Sequence, residues 1–178
     1  MLSGPLGWDL EGSRLSELPS SAQRVLDAAE TLGLQIDVVE FPDGTRTALD
    51  AANAVGCDVG QIVKSLIFEM QGPDGPELVL ALTSGSNRVD TKALTAVAGV
   101  SGCDRANAED VREATGFAIG GVPPIGHAKP VRSFFDPALL DFDTVWAAAG
   151  TPRHVFEIEP QQLLEVSGAA TADFGVPS

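Results

Sequence analysis

The sequence predicts an α+β fold, and three observations carry that prediction. Pairs of apolar runs are mixed with short amphipathic segments of helical period. Two of the runs, Asp58 to Met70 and Leu78 to Leu82, are separated by Gly72-Pro-Asp-Gly-Pro76, a turn sequence that joins them as a hairpin. No regular strand–helix–strand rhythm is present, which argues against a doubly wound parallel sheet. At 178 residues, 44% hydrophobic and 20% charged, the chain is long enough to bury a core of its own.

Residues 1–19 read as a loose N-terminal tail, with Gly4, Pro5, Gly7 and Gly12 near its start, and residues 20–178 as a single domain. Ser20 or Ser21 caps a helix running to about Leu32, with Val25, Leu26, Ala29 and Leu32 on its apolar side and Gly33 ending it. Gln35 to Phe41 reads as a strand closed by Pro42-Asp43-Gly44. Thr47-Ala-Leu-Asp50 has the form of a capping box and opens a helix that stops at Gly56. After the hairpin comes a polar loop, Thr83 to Arg88. Asp90 or Thr91 then caps a helix to Ala98, and Asn107 caps another to Thr115. Phe117 to Ile119 reads as a short strand leading into a Gly-Pro loop. Val131 to Phe135 and His154 to Ile158 are late strands, Asp136 to Gly150 has no clear period, and Gln161 to Val166 is a last short helix.

Charge limits the function classes. A net charge of −14 argues against a general nucleic-acid binder, because neutralising phosphates requires Lys and Arg. The cations are not spread evenly, however. Seven of the eleven lie between residues 60 and 132, where eight acids leave a net of −1, so a local basic surface with salt-sensitive binding is compatible with an acidic chain. Cys57 and Cys103 have no CxxC spacing, and there is no H-x-x-H pair, so neither a metal site nor another cofactor is expected. No apolar stretch is long enough to span a bilayer, the opening residues lack a secretory pattern, and the expected compartment is the cytoplasm.

Residues 116–127 read Gly-Phe-Ala-Ile-Gly-Gly-Val-Pro-Pro-Ile-Gly-His. Glycine permits positive φ and close approach of another molecule to the backbone, whereas proline stiffens the chain. The segment is either a plain turn or a rigid rim whose N–H groups, at Gly120, Gly121 and Val122, face a ligand. Lys64 shares strand parity with Ile62, Leu66, Phe68 and Met70. An ammonium on that apolar face needs a carboxylate, a bound anion or an opening to solvent, and the alternative is a strand-end lysine reaching outward. Asp90 stands where a helix cap is expected, although a carboxylate there also suits a general base. Ser86 and Asn87 precede it and can hydrogen-bond a ligand. His127 borders the Gly-Pro loop as a rim residue or a proton shuttle. There is no G-x-S-x-G elbow and no G-x-x-x-x-G-K-[ST] loop.

Three segments taken together, Gly60 to Phe68, Gly85 to Lys92 and Gly116 to Gly126, resemble the YbaK/EbsC family in order and spacing. These proteins are free-standing relatives of the editing domain of bacterial prolyl-tRNA synthetases. The resemblance runs from about Ser20 to Asp173. It implies a mixed sheet curled into an open barrel with short helices around it. It also implies hydrolysis of the ester between an incorrect small amino acid (Ala, Cys, Ser or Thr) and the 3′ end of a tRNA. Lys64 matches the family's strand lysine, Gly120 and Pro124 match its G-x-x-x-P loop, and Thr47 falls at its threonine before the second helix. Lys64, Gly120 and Gly121 are thus the expected catalytic residues. Thr47, Ser86, Asn87, Asp90, Val122, Pro123, Pro124 and His127 are expected around the substrate, with no cofactor, metal or membrane involved. The partners implied are aminoacyl-tRNA and, for added affinity, an aminoacyl-tRNA synthetase. A non-catalytic binding module and a small-molecule esterase are the alternatives.

Overall fold

The computed structural model describes residues 17–41 and 43–178, so most of the expected tail lies outside the described residues. Helix α1 (Ser20–Thr31) is followed by strand β1 (Val38–Glu40) and helix α2 (Ala48–Val55). The central hairpin is β2 (Ile62–Gly72) and β3 (Gly75–Ser84), paired antiparallel along its whole length from Val63 opposite Ser84 to Gly72 opposite Gly75. Then come β4 (Asn87–Val89), α3 (Thr91–Ala98), β5 (Ser101–Arg105), α4 (Ala108–Thr115), β6 (Arg132–Phe135), β7 (Val145–Ala148), β8 (His154–Ile158), α5 (Pro160–Ser167), β9 (Ala170–Thr171) and β10 (Gly175–Pro177).

Seven strands form one mixed path, β1-β8-β7-β2-β3-β6-β9, with β5 paired onto β2 beside it. The path does not close on itself, so the sheet is open, and β10 with β4 makes a separate two-stranded ribbon. The parity expected for β2 holds. Val63 and Ile67 enter the main core, built with Val25 and Ala29 of α1, Val111 of α4 and Leu163 of α5. The opposite parity serves two smaller clusters. Phe68 and Met70 pack with Leu94 of α3 and Phe174, while Ile62 packs with Ala51 and Ala52 of α2. Lys64 stands on β2 between the residues of these two clusters. No helix among the described residues is long and apolar enough to cross a membrane.

Several local expectations are corrected. Pro19, not Ser20 or Ser21, is the N-cap of α1, without a side-chain cap bond. The first part of the expected Asp58–Met70 strand is a 3-10 turn, Val59–Gln61, held by the Asp58 N–H donating to Gln61 Oε1 at 3.0 Å and Gln61 N to Asp58 O at 3.0 Å. Thr83 and Ser84 finish β3, fully buried, and Asn87 to Val89 pair with β10, so the polar loop shrinks to a tight turn. Phe117 to Ile119 is not a strand: the Phe117 N–H is taken by the Thr115 side chain at 3.1 Å, and Phe117 is an anchor in the main core. The stretch without a period contains a 3-10 turn, Pro137–Asp141, and β7.

Candidate active site

One edge of β2 carries β3 throughout. The other pairs with β7 only at Ile62 and Val63 and with β5 only from Phe68 onward. Between them, at Lys64 to Leu66, no strand pairs on this side among the described residues. A cavity of about 360 Å³ opens at this gap, a size suited to a small ligand. Lys64, Trp146 and the start of α2 line it from the side of the sheet that carries α2, and Val122 and Ala147 line it from the main core. The gap therefore lets one cavity draw on both faces.

Lys64 is half-buried, and its Nζ donates a hydrogen bond to the Asn87 carbonyl oxygen. Burial pushes the Lys64 ammonium below its ordinary value of 10.5; the Asp136 carboxylate opposes that shift and the Arg105 charge adds to it. Asp136 is only 2% exposed and accepts three hydrogen bonds, from Ser84 N at 3.1 Å, Asn87 Nδ2 at 2.9 Å and Ala138 N at 3.0 Å. It thus holds both the end of β3 and the residue that receives Lys64. A Cβ added to Gly175 would lie 2.6 Å from Asp136 Oδ2 and 3.0 Å from Asn87 Nδ2, so β10 can pass over this network only with glycine there.

Ser86 and Asp90 are placed beside this network rather than in the cavity. Ser86 Oγ lies 3.1 Å from Ser84 Oγ, which itself donates to Gly60 O at 2.7 Å. Asp90 caps α3 by accepting from Lys92 N and Ala93 N. Thr47 does line the cavity, and it also caps α2 through the expected box with Asp50.

The Gly-Pro loop is pinned from outside. The Arg24 guanidinium of α1 stacks 4.3 Å from the Phe117 ring centre and donates to Gly116 O at 3.0 Å. Gly120 sits at φ +93° in a four-residue turn closed by Gly121 N donating to Ala118 O at 3.0 Å, and a positive φ at the third turn position selects glycine. Gly121 therefore does not offer a free N–H, contrary to expectation. Its backbone lies where a Cβ would be 2.6 Å from Thr151 Cα and 2.8 Å from Gly150 O. The N–H groups of Gly120 and Val122 have no hydrogen-bond partner among the described residues, and both residues line the cavity. Gly121→Ala forces this contact apart; it is expected to lower stability by about 1–3 kcal/mol in urea unfolding and to reduce any activity that depends on the loop.

Pro123, Pro124 and His127 stiffen the loop from behind and do not line the cavity. His127 Nε2 donates to Pro123 O at 2.6 Å. Burial pushes the His127 imidazole below its ordinary 6.5, with that carbonyl offsetting part of the shift. The unfolded chain therefore takes up a proton as pH falls through the ordinary value, while the folded chain resists. Stability is full above about pH 6.5 and declines below it. Urea midpoints measured between about pH 7 and pH 5 should fall, and His127→Gln should flatten that slope.

The family model of the aminoacyl-tRNA editing domain matches residues 42–166, from the approach to α2 through α5. The chain belongs to that family. It is 32% identical over 131 residues to the uncharacterised protein YwhH of Bacillus subtilis, covering 74% of this chain and 81% of YwhH. It is 24% identical over 127 residues to EbsC of Enterococcus faecalis, named as a candidate Cys-tRNA(Pro)/Cys-tRNA(Cys) deacylase, covering 71% and 76% of the two chains. A solved structure described as a candidate trans-editing enzyme for prolyl-tRNA synthetase superposes with a TM-score of 0.81 at 49% identity, covering 90% of this chain and 99% of that one.

The cavity of this editing domain also holds residues that the sequence reading did not single out. His154 is buried, lines the cavity and has its Nδ1 2.5 Å from Thr151 Oγ1, which accepts the Arg153 N–H at 3.1 Å. Its shared parity with Phe156 and Ile158 on β8 was the available signal. Ser65 Oγ, next to Lys64, is buried without a hydrogen-bond partner. Asp136, outside the cavity but holding Asn87 beside Lys64, is announced only by Asp-Pro, a cap-and-N1 pattern that marks the start of a helical turn.

Proposed function

We propose that this editing domain hydrolyses the ester linking a small non-cognate amino acid to the 3′-terminal adenosine of a tRNA. The observation that carries the proposal is the meeting, in one cavity, of the Lys64 ammonium with two backbone N–H groups, at Gly120 and Val122, that have no hydrogen-bond partner among the described residues. Water adds to the ester carbonyl, and the negative charge that develops on the carbonyl oxygen is met by the two N–H groups. The bond from carbonyl carbon to ribose oxygen then breaks, the ribose oxygen takes a proton, and free amino acid and uncharged tRNA leave. Lys64 holds the ribose or phosphate of the terminal nucleotide. Preorganised N–H donors are worth about 3 kcal/mol each in comparable sites, and an aminoacyl ester is already activated, so positioning supplies the rest.

The neighbouring ribose hydroxyl orients the attacking water. The His154–Thr151 pair favours a second reading, in which His154 does so instead. Substrates ending in 2′-deoxyadenosine separate the two: the first reading expects their cleavage to be lost, and the second expects it to persist and to require His154. Small side chains fit the remaining space and larger ones are excluded, a sieve rather than a recognition code. Purified protein tested on alanyl-, cysteinyl-, seryl- and threonyl-tRNA should release at least one amino acid faster than buffer does. Cleavage of none would leave a binding module as the function.

A further inference from the structure

The cavity's charged lining is of one sign. Arg46, Lys64 and Arg105 contribute to it and, among the described residues, no carboxylate does, in a chain with 25 acidic residues against 11 basic ones. Elsewhere Lys129, Arg132 and Arg153 are paired with Glu113, Glu77 and Glu40. Arg46 and Arg105 are exposed and make no ion pair among the described residues. The carboxylate that feels Arg46, Asp50, accepts instead from the backbone N–H groups of Arg46 and Thr47 and completes the α2 capping box. The Arg105 guanidinium is held 5.5 Å from the Phe68 ring centre and adds its field to that at Lys64. Arg46 comes from the loop before α2 and Arg105 from the end of β5, and both line this cavity. Leaving two guanidinium groups without an ion pair among the described residues of an acidic protein, one of them opposing the charge of Lys64, fits an anionic occupant.

We infer that Arg46 and Arg105 form a phosphate-binding rim that takes the phosphodiester groups preceding the terminal adenosine of the acceptor strand. The inference rests on the editing reading for the nature of that strand. It assigns to the rim the affinity that an otherwise repulsive surface lacks, since guanidinium forks match phosphate oxygens and act over a short range at physiological salt.

The test is equilibrium binding of two unreactive probes, the trinucleotide cytidylyl-cytidylyl-adenosine and adenosine alone, to the full chain. Arg46→Gln/Arg105→Gln should weaken trinucleotide binding about tenfold or more and make its dependence on log salt shallower by roughly one to two, while adenosine binding changes less than about twofold. Arg46→Lys/Arg105→Lys keeps the charge and should keep most of the salt slope, and melting curves confirm that both variants are folded. An unchanged trinucleotide affinity, or equal loss for both probes, overturns the rim. Arginine-dependent trinucleotide binding in a protein that deacylates nothing would sustain the rim and overturn the hydrolase.

Discussion

Lys64→Ala is expected to lower the proposed deacylation by roughly 100-fold or more, the loss that follows when a charged contact to substrate is removed from a partly dry site. Folding is not expected to suffer. The ammonium is half-buried, its one hydrogen bond goes to a neutral carbonyl, and burial already disfavours its charge. Melting temperature should therefore hold or rise, which separates this loss from general unfolding. Lys64→Arg keeps the charge but not the compact donor, and should recover little if the contact is to a single oxygen. Because burial holds the ammonium below its ordinary 10.5, the charge-dependent part of binding is present at low pH. It is lost as pH rises through a value below that of an exposed lysine. Substrate affinity, measured apart from spontaneous ester hydrolysis, should show that decline.

Asp136→Ala has the largest expected effect on stability. The buried carboxylate satisfies Ser84 N, Asn87 Nδ2 and Ala138 N, and removing it strands three donors, the Ser84 N–H fully buried and the other two half-buried. A cost of roughly 3–5 kcal/mol follows, read as a lowered urea midpoint. Activity should fall even under conditions where the variant remains folded, because Asn87 loses the anchor that places its carbonyl at Lys64. Asp136→Asn keeps one acceptor and should fall between the two. Equal stability of the alanine variant and the parent would remove Asp136 from the account.

Lys64 was legible because strand parity is local: one lysine among Ile62, Leu66, Phe68 and Met70 stands out without any knowledge of the partner strands. The caps of α2, α3 and α4, at Thr47, Asp90 and Asn107, were legible for the same reason, since each bonds within its own turn. β5 was not. Ser101 to Arg105 has no apolar alternation and is a strand because β2 offers it an open edge. Asp136 acts entirely through residues distant in sequence, and His154 reaches the cavity by the path of β8. The Gly-Pro loop fell between these cases. Its rigidity and its glycines were readable, but which of its N–H groups remain free depends on the Ala118–Gly121 turn and on the contact with Gly150 and Thr151.

That distinction offers the most direct test of the proposed chemistry. Backbone amide NMR signals of the protein can be followed as a non-hydrolysable 3′-amide analogue of alanyl-adenosine is added. Large shifts of the Gly120 and Val122 N–H signals are expected, with the Lys64 strand responding alongside, and a much smaller shift at Gly121, whose N–H is already bound to Ala118. Unmoved Gly120 and Val122 signals with a saturated analogue would contradict that chemistry.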